Sequence, residues 1–321
     1  MKLSEKASGV YIIAATAFDD AGAIDEASTD RLVDFYLDCG VQGLTVLGIM
    51  GEGQKLTNGE ALEIVRRVIR RCGGRVPVVV GVSQPGLAAM AALAQDSMDL
   101  GAAGVMLAPP PGLRSDDDVY AYLAAAFDAL GPEVPVCLQD FPQGNGVYIA
   151  VSVIARLIRE RPQLVMVKHE DWPGLGKLSR LRHECDPIRR CSVLTGNGGL
   201  YLPQELSRGA DGAMTGFAYP EMLVEVCRRH RRGAVDAAED LFDIFLPLVR
   251  YEQQPGFGLA VRKEVLRRRG VLRCARTRLP GTRLTPDDQV ELGRLLDRLE
   301  RRLRQVEAWA PLQTTEPALS T

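Results

Sequence analysis

What most constrains the fold of this chain is a repeated alternation. Eight short apolar runs, at residues 10–16, 43–47, 76–81, 104–107, 134–138, 164–168, 192–195 and 212–214, punctuate the first two thirds of the sequence. Between them lie longer stretches with helical periodicity, among them 26–39, 58–72, 87–100, 116–130, 151–161 and 175–183. Asp25, Thr57 and Ser115 stand where helix N-caps are expected, and Gly or Pro follows the helical stretches. The apolar runs are continuous and not strictly alternating, which predicts parallel strands covered on both faces. Eight strand–helix units predict an α/β fold of the (β/α)8 TIM-barrel type with a C-terminal helical extension. No GxGxxG follows the first run, which argues against an open dinucleotide-binding sheet.

After Phe217 the pattern becomes helical throughout, over 221–232, 235–251, 258–269 and 286–304. The expected organisation is therefore a barrel over 1–232, a helical extension over 233–308 and a disordered Thr/Pro/Ala-rich tail over 309–321. Apolar residues make up 46% and the net charge is −2, so neither a membrane span nor a nucleic-acid surface is expected. The basic run 228–232 is read as a solvated helix end. Seven cysteines without CxxC spacing fit free thiols in a reducing, cytoplasmic setting. Three scattered histidines offer no built-in metal site, and no cofactor is expected.

Lys168 closes the sixth run and Glu170 follows two residues later. Strand residues two apart share a face, so amine and carboxylate point into one space. An uncharged lysine in an apolar site attacks ketones. The competing reading is a strand-end lysine snorkelling to water beside a surface acid. The barrel assignment decides between them, because the C-terminal end of a strand is where barrel enzymes keep their active sites. His169 alternates to the opposite face and is expected to pack behind the barrel.

Other polar groups fall on the same rim. Gly48-Ile49-Met50-Gly51-Glu52-Gly53 follows the second run, and its glycines let backbone amides approach an anion; an ordinary tight turn is the alternative. Gln139-Asp140-Phe141-Pro142 follows the fifth run, Gly196-Asn197-Gly198-Gly199 the seventh, and Thr215-Gly216 the eighth. Glu52 either orients its loop or lines the site.

With these motifs the chain resembles the dihydrodipicolinate synthase and N-acetylneuraminate lyase superfamily of Schiff-base lyases. The resemblance spans Gly9 to about Arg304 and rests on Gly48-x-x-Gly51-Glu52, Lys168, Gly209-Ala210-Asp211-Gly212 and the helical extension. It implies an imine between Lys168 and a 2-oxo acid, no cofactor, and a homotetramer or homodimer. Departures are equally informative. Ile49 and Met50 replace the family's two hydroxyl residues, Gln139 and Asp140 its Tyr-Asn pair, and Pro109-Pro110-Pro111 the site of another tyrosine. The arginine that grips a second carboxylate in dihydrodipicolinate synthases aligns near Gly144. Gln-Asp-x-Pro with Lys-x-Glu looks like the branch containing L-2-keto-3-deoxyarabonate dehydratase.

The expected chemistry is dehydration of a 2-keto-3-deoxy sugar acid. Lys168 forms the imine, Glu170 moves the protons and Gln139 orients the imine region. Amides of Met50 and Gly51 hold the substrate carboxylate, and Asp140, Asn197 and Thr215 bind its hydroxyls. The alternatives are a pyruvate-dependent aldolase or synthase using the same imine, and a non-catalytic barrel that binds 2-oxo acids.

Overall fold

The computed structural model describes residues 1–305. Eight parallel strands close into a barrel in sequence order. They are β1 (Gly9–Ile13), β2 (Gly43–Val46), β3 (Val78–Gly81), β4 (Gly104–Leu107), β5 (Val136–Asp140), β6 (Leu164–His169), β7 (Ser192–Thr195) and β8 (Gly212–Thr215). The outer layer comprises α1 (Glu26–Asp38), α2 (Asn58–Cys72), α3 (Leu87–Asp99), α4 (Asp116–Leu130), the short α5 (Pro142–Asn145), α6 (Val151–Glu160), α7 (Leu175–Cys185), α8 (Leu202–Ser207) and α9 (Pro220–Arg231). Three helices follow: α10 (Val235–Glu252), α11 (Gly258–Arg268) and α12 (Pro286–Leu303). The barrel and the helical extension are thus as expected, while the tail assigned to 309–321 lies outside the described residues.

The helix starts follow from their caps. Asp25 and Ser115 accept backbone N–H bonds from the first turns of α1 and α4, and Thr57 forms a reciprocal capping box with Glu60. Strand residues alternate between two apolar compartments. Tyr11, Ile13, Val79, Met106, Cys137, Met166, Leu194 and Met214 fill the barrel interior, which Leu3 closes from below. Val10, Ile12, Val80, Leu107, Leu138, Val167 and Val193 face the helices. The six cysteines at 39, 72, 137, 185, 191 and 227 are buried free thiols, and Cys274 is half-buried.

The strand ends decide the site. β5 begins and ends two residues later than the sequence pattern indicates, across a register shift at Val136/Cys137. Gln139 and Asp140 are therefore the last two residues of a strand and not the start of a loop. Gln139 pairs with Lys168 and Asp140 with His169, so the two side chains take opposite faces.

The extension is tied to the barrel mouth by buried charge. α11 carries Arg262, Lys263 and Glu264 in succession, all buried. Lys263 Nζ donates to Glu52 Oε1 at 2.5 Å and to the Arg276 carbonyl at 2.8 Å. Lys55 Nζ and the Arg278 backbone N–H meet the other Glu52 oxygen, both at 2.9 Å. Burial holds the Lys263 amine below its ordinary value despite the opposing pull of Glu52. Glu52 is thus the anchor that fixes the β2 loop beneath the segment after α11.

Candidate active site

The mouth of the barrel opens into a cavity of about 670 Å³ floored by Lys168. Lys168 is 5% exposed, so its amine sits inside the molecule and not at the bulk surface. Its Nζ lies 2.9 Å from Glu170 Oε2, and Gln139 Nε2 donates to the same oxygen at 2.7 Å. The Asn197 backbone N–H reaches Glu170 Oε1 at 3.3 Å, while the Asn197 side-chain amide donates to the Glu170 carbonyl at 3.0 Å. Donors from three strand ends thus hold one carboxylate against one amine. Gly196 makes the room, since a Cβ there would lie 2.1 Å from Glu170 Oε1.

The loops around this centre are held in demanding conformations. Leu47, Glu52 and Asn197 all have positive φ, at 58°, 55° and 51°, and all three lie just beyond strand ends on the active rim. Such conformations cost non-glycine residues free energy and persist where surrounding contacts fix them. Asn197 is held by its two bonds to Glu170, and Glu52 by Lys263, Lys55 and Arg278.

The structure brings most of the expected residues together. Met50, Glu52, Gln139, Lys168, Glu170, Asn197 and Thr215 all line the cavity. Thr215 Oγ1 accepts the Gly198 backbone N–H at 2.8 Å, which leaves its hydroxyl proton available to a ligand. Gly51 sits behind the lining. Its N–H turns back to the Gly48 carbonyl at 3.0 Å and its carbonyl accepts the Thr16 hydroxyl at 2.5 Å. The β2 loop is a tight 3₁₀ turn over Ile49–Gly51, so the carboxylate-binding role assigned to the Gly51 amide does not fit this geometry.

Asp140 requires a correction. It does not line the cavity and cannot bind substrate hydroxyls there. It is fully buried on the helix-facing side, 2.7 Å from Lys177 Nζ and 3.4 Å from His169 Nδ1. Strand alternation is the reason, since β5 extends through Asp140. His169 completes this rear cluster, with Nε2 3.0 Å from the Gly174 carbonyl. Burial pulls the His169 pKa down, but the Asp140 carboxylate beside it outweighs burial and leaves it raised. Nearby, burial pushes Glu205 up to about 7.

The sequence reading missed the contribution of the helical extension, including Glu252 at the end of α10. Gln253, just past α10, and Arg262, on α11, both line the cavity from the helical extension. Gln253 carries no local signal, and the three adjacent charged residues 262–264 beside the apolar Val261, Val265 and Leu266 do not by themselves mark a site. Among the described residues, no tyrosine, histidine or cysteine lines the cavity, and no group of His, Cys, Asp or Glu is arranged to hold a metal ion. No helix there is long and apolar enough to cross a membrane. The arrangement suits imine formation at an amine with proton transfer by the adjacent carboxylate.

Comparison with known proteins agrees with this geometry. Residues 6–299 match the model of the dihydrodipicolinate synthetase family. L-2-keto-3-deoxyarabonate dehydratase of Azospirillum brasilense is 31% identical over 297 residues, covering 91% of this chain and 94% of that protein. A probable 2-dehydro-3-deoxy-D-pentonate aldolase of Escherichia coli is 28% identical, covering 74% of this chain and 79% of that one. Among solved structures, a dihydrodipicolinate synthase from Rhodopseudomonas palustris superposes with a TM-score of 0.91 at 49% identity, covering 93% of this chain and 99% of that one. YagE of Escherichia coli, solved with pyruvate, gives 0.84 at 25% identity, covering 91% of this chain and 98% of the other. The chain belongs to the dihydrodipicolinate synthetase family, as a lyase or aldolase of that family.

Proposed function

We propose that this chain dehydrates a 2-keto-3-deoxy sugar acid through an imine on Lys168. The observation that carries the proposal is the placement of Glu170, 2.9 Å from the amine and braced by Gln139 at 2.7 Å. A carboxylate beside the nitrogen lies beside C2 and C3 of any ketone bound there. Dehydration needs its base at C3, whereas carbon–carbon cleavage needs one at the C4 hydroxyl. With no tyrosine on the described cavity wall, and with Glu52 and Glu252 held by buried cations, Glu170 is the carboxylate free to act.

The steps balance with this single group. Glu170 takes a proton from the Lys168 ammonium, and the amine adds to the C2 carbonyl. Glu170 returns the proton to the carbinolamine oxygen, which leaves as water and gives the iminium. The iminium withdraws electrons from C3, Glu170 removes a C3 proton, and the enamine expels the C4 hydroxyl as water with the proton Glu170 now holds. Hydrolysis frees Lys168. Ionised Glu170 opposes the neutral amine but stabilises the iminium once formed. The working assembly that accompanies this reading is a homotetramer or homodimer, which sedimentation tests.

The test is a product assay on five- and six-carbon 2-keto-3-deoxy acids, with pyruvate release followed in parallel. Dehydration yields no pyruvate; stoichiometric pyruvate would instead establish the aldolase reading. Glu170→Gln is expected to slow turnover about 10²–10⁴-fold. Turnover at the unaltered rate would clear Glu170 of the proton-transfer role.

A further inference from the structure

Arg262 stands apart from every other cation on the cavity wall. It is 2% exposed, and its Nε donates to Glu252 Oε1. Glu252 is itself buried, and its second oxygen accepts the Ala218 N–H at 3.3 Å. Nη1 of the guanidinium, however, has no hydrogen-bond partner. A buried donor left unpaired is costly and calls for an explanation. Arg262 lines the cavity, and Nη1 lies against Gly216, another lining residue, where an added Cβ would sit only 2.0 Å away. Glycine at 216 therefore makes the space for this arm beside Thr215.

We propose that the free arm of Arg262 binds a hydroxyl oxygen at the far end of the substrate chain, and so selects polyhydroxylated 2-oxo acids over short ones. This deepens the function proposed above and rests on it. The ligand chemistry follows from charge. Glu252 already neutralises the guanidinium, so the unpaired, buried Nη1 suits a neutral acceptor better than a second carboxylate or a phosphate, which would bring an uncompensated charge into a buried site. A hydroxyl must also donate. The Gln253 side-chain oxygen reaches toward Gly198 on the same wall, 2.3 Å from where a Cβ on that glycine would be. The Thr215 hydroxyl, on the same wall, accepts the Gly198 N–H at 2.8 Å and keeps its own proton to offer. Donor and acceptor come from the helical extension, while Lys168 and Glu170 come from the barrel. The extension thus acts as the specificity wall of the site.

The test uses two variants of the full chain. Arg262→Lys keeps the charge opposite Glu252 but removes the planar fork. The double variant Arg262→Met with Glu252→Gln removes both charges together, so that neither is left buried alone. Borohydride trapping with pyruvate, which has no hydroxyl to reach the arm, is compared with KM and kcat for five- and six-carbon 2-keto-3-deoxy acids. Both variants are expected to trap pyruvate like the parent protein. KM for the hydroxylated acids is expected to rise about 10–100-fold, with a smaller change in kcat. A parent protein that forms no pyruvate adduct would defeat the imine reading and this inference with it. Normal trapping together with unchanged KM for the hydroxylated acids in either folded variant would defeat this inference alone. A fall confined to kcat, with KM intact, would also overturn it.

Discussion

Gly196→Ala is the sharpest perturbation the geometry offers, because it moves Glu170, the proposed proton-transfer group, without altering it chemically. A Cβ at position 196 would lie 2.1 Å from Glu170 Oε1, 2.3 Å from Cγ and 2.4 Å from Cδ. Non-bonded carbon contacts sit near 3.5–4.0 Å, so the whole Glu170 side chain must swing away by roughly an ångström or more. Its two short contacts on Oε2, 2.9 Å to Lys168 and 2.7 Å to Gln139, cannot both survive that movement. Losing a positioned general base costs about 10²–10⁴ in rate, or about 3–5 kcal/mol of barrier. Overpacking at the site should cost about 1–3 kcal/mol of stability, which a chain of this size tolerates. The assay pairs steady-state turnover with borohydride trapping and a melting curve. The expected result is a folded protein that still forms the pyruvate adduct on Lys168 but turns over at least about 100-fold more slowly. A folded variant with parental turnover would refute the claim that the position of Glu170 governs the rate.

Other outcomes follow from buried charge. Asp140→Ala takes from His169 and Lys177 their shared carboxylate, leaving Lys177 only Asp171 at 2.9 Å, and should destabilise the fold by about 1–3 kcal/mol, measured by denaturant titration, while KM stays unchanged. His169 has a raised pKa, so its stabilising contribution is full below its ordinary 6.5 and fades as pH rises through the higher folded value; Asp140→Asn should flatten that slope. Glu205 behaves in the same sense. Burial raises it from 4.5 to about 7, so the folded state holds the extra proton and stability falls as pH climbs through that window. The loss amounts to about 3 kcal/mol, and Glu205→Gln should abolish it in melts run from pH 4 to 8. Lys263→Met leaves Glu52 Oε1 without its donor, with Lys55 and the Arg278 N–H still on Oε2, and should lower stability by about 1–3 kcal/mol while loosening the β2 loop, seen as faster amide exchange over 48–56.

The sequence displays the barrel because parallel strands leave an unusually plain mark: each is an apolar run bounded by capped helices, and eight recur in order. The Lys168–Glu170 pair is legible for the same reason, since two-residue spacing within or just beyond a strand fixes a common face. Asp140 misleads by that very rule. Its polarity marks it as a loop residue, yet β5 extends through it, and one position of alternation carries it to the rear of the barrel. The Gly51 amide misleads differently, because a glycine-rich turn reads the same whether its N–H groups face the cavity or close a 3₁₀ turn. Arg262 and Gln253 are illegible from local pattern. They lie far along the chain from Lys168, and only the folding of α10 and α11 over the barrel mouth brings them to the cavity.

Whether Lys168 bonds covalently to a 2-oxo acid is read by peptide mapping with mass spectrometry after borohydride reduction in the presence of pyruvate. One reduced pyruvate per chain is expected, on the peptide containing Lys168, and none on Lys168→Arg. An unmodified chain, or an adduct on Lys55 at the cavity rim or on the buried Lys263, would contradict it.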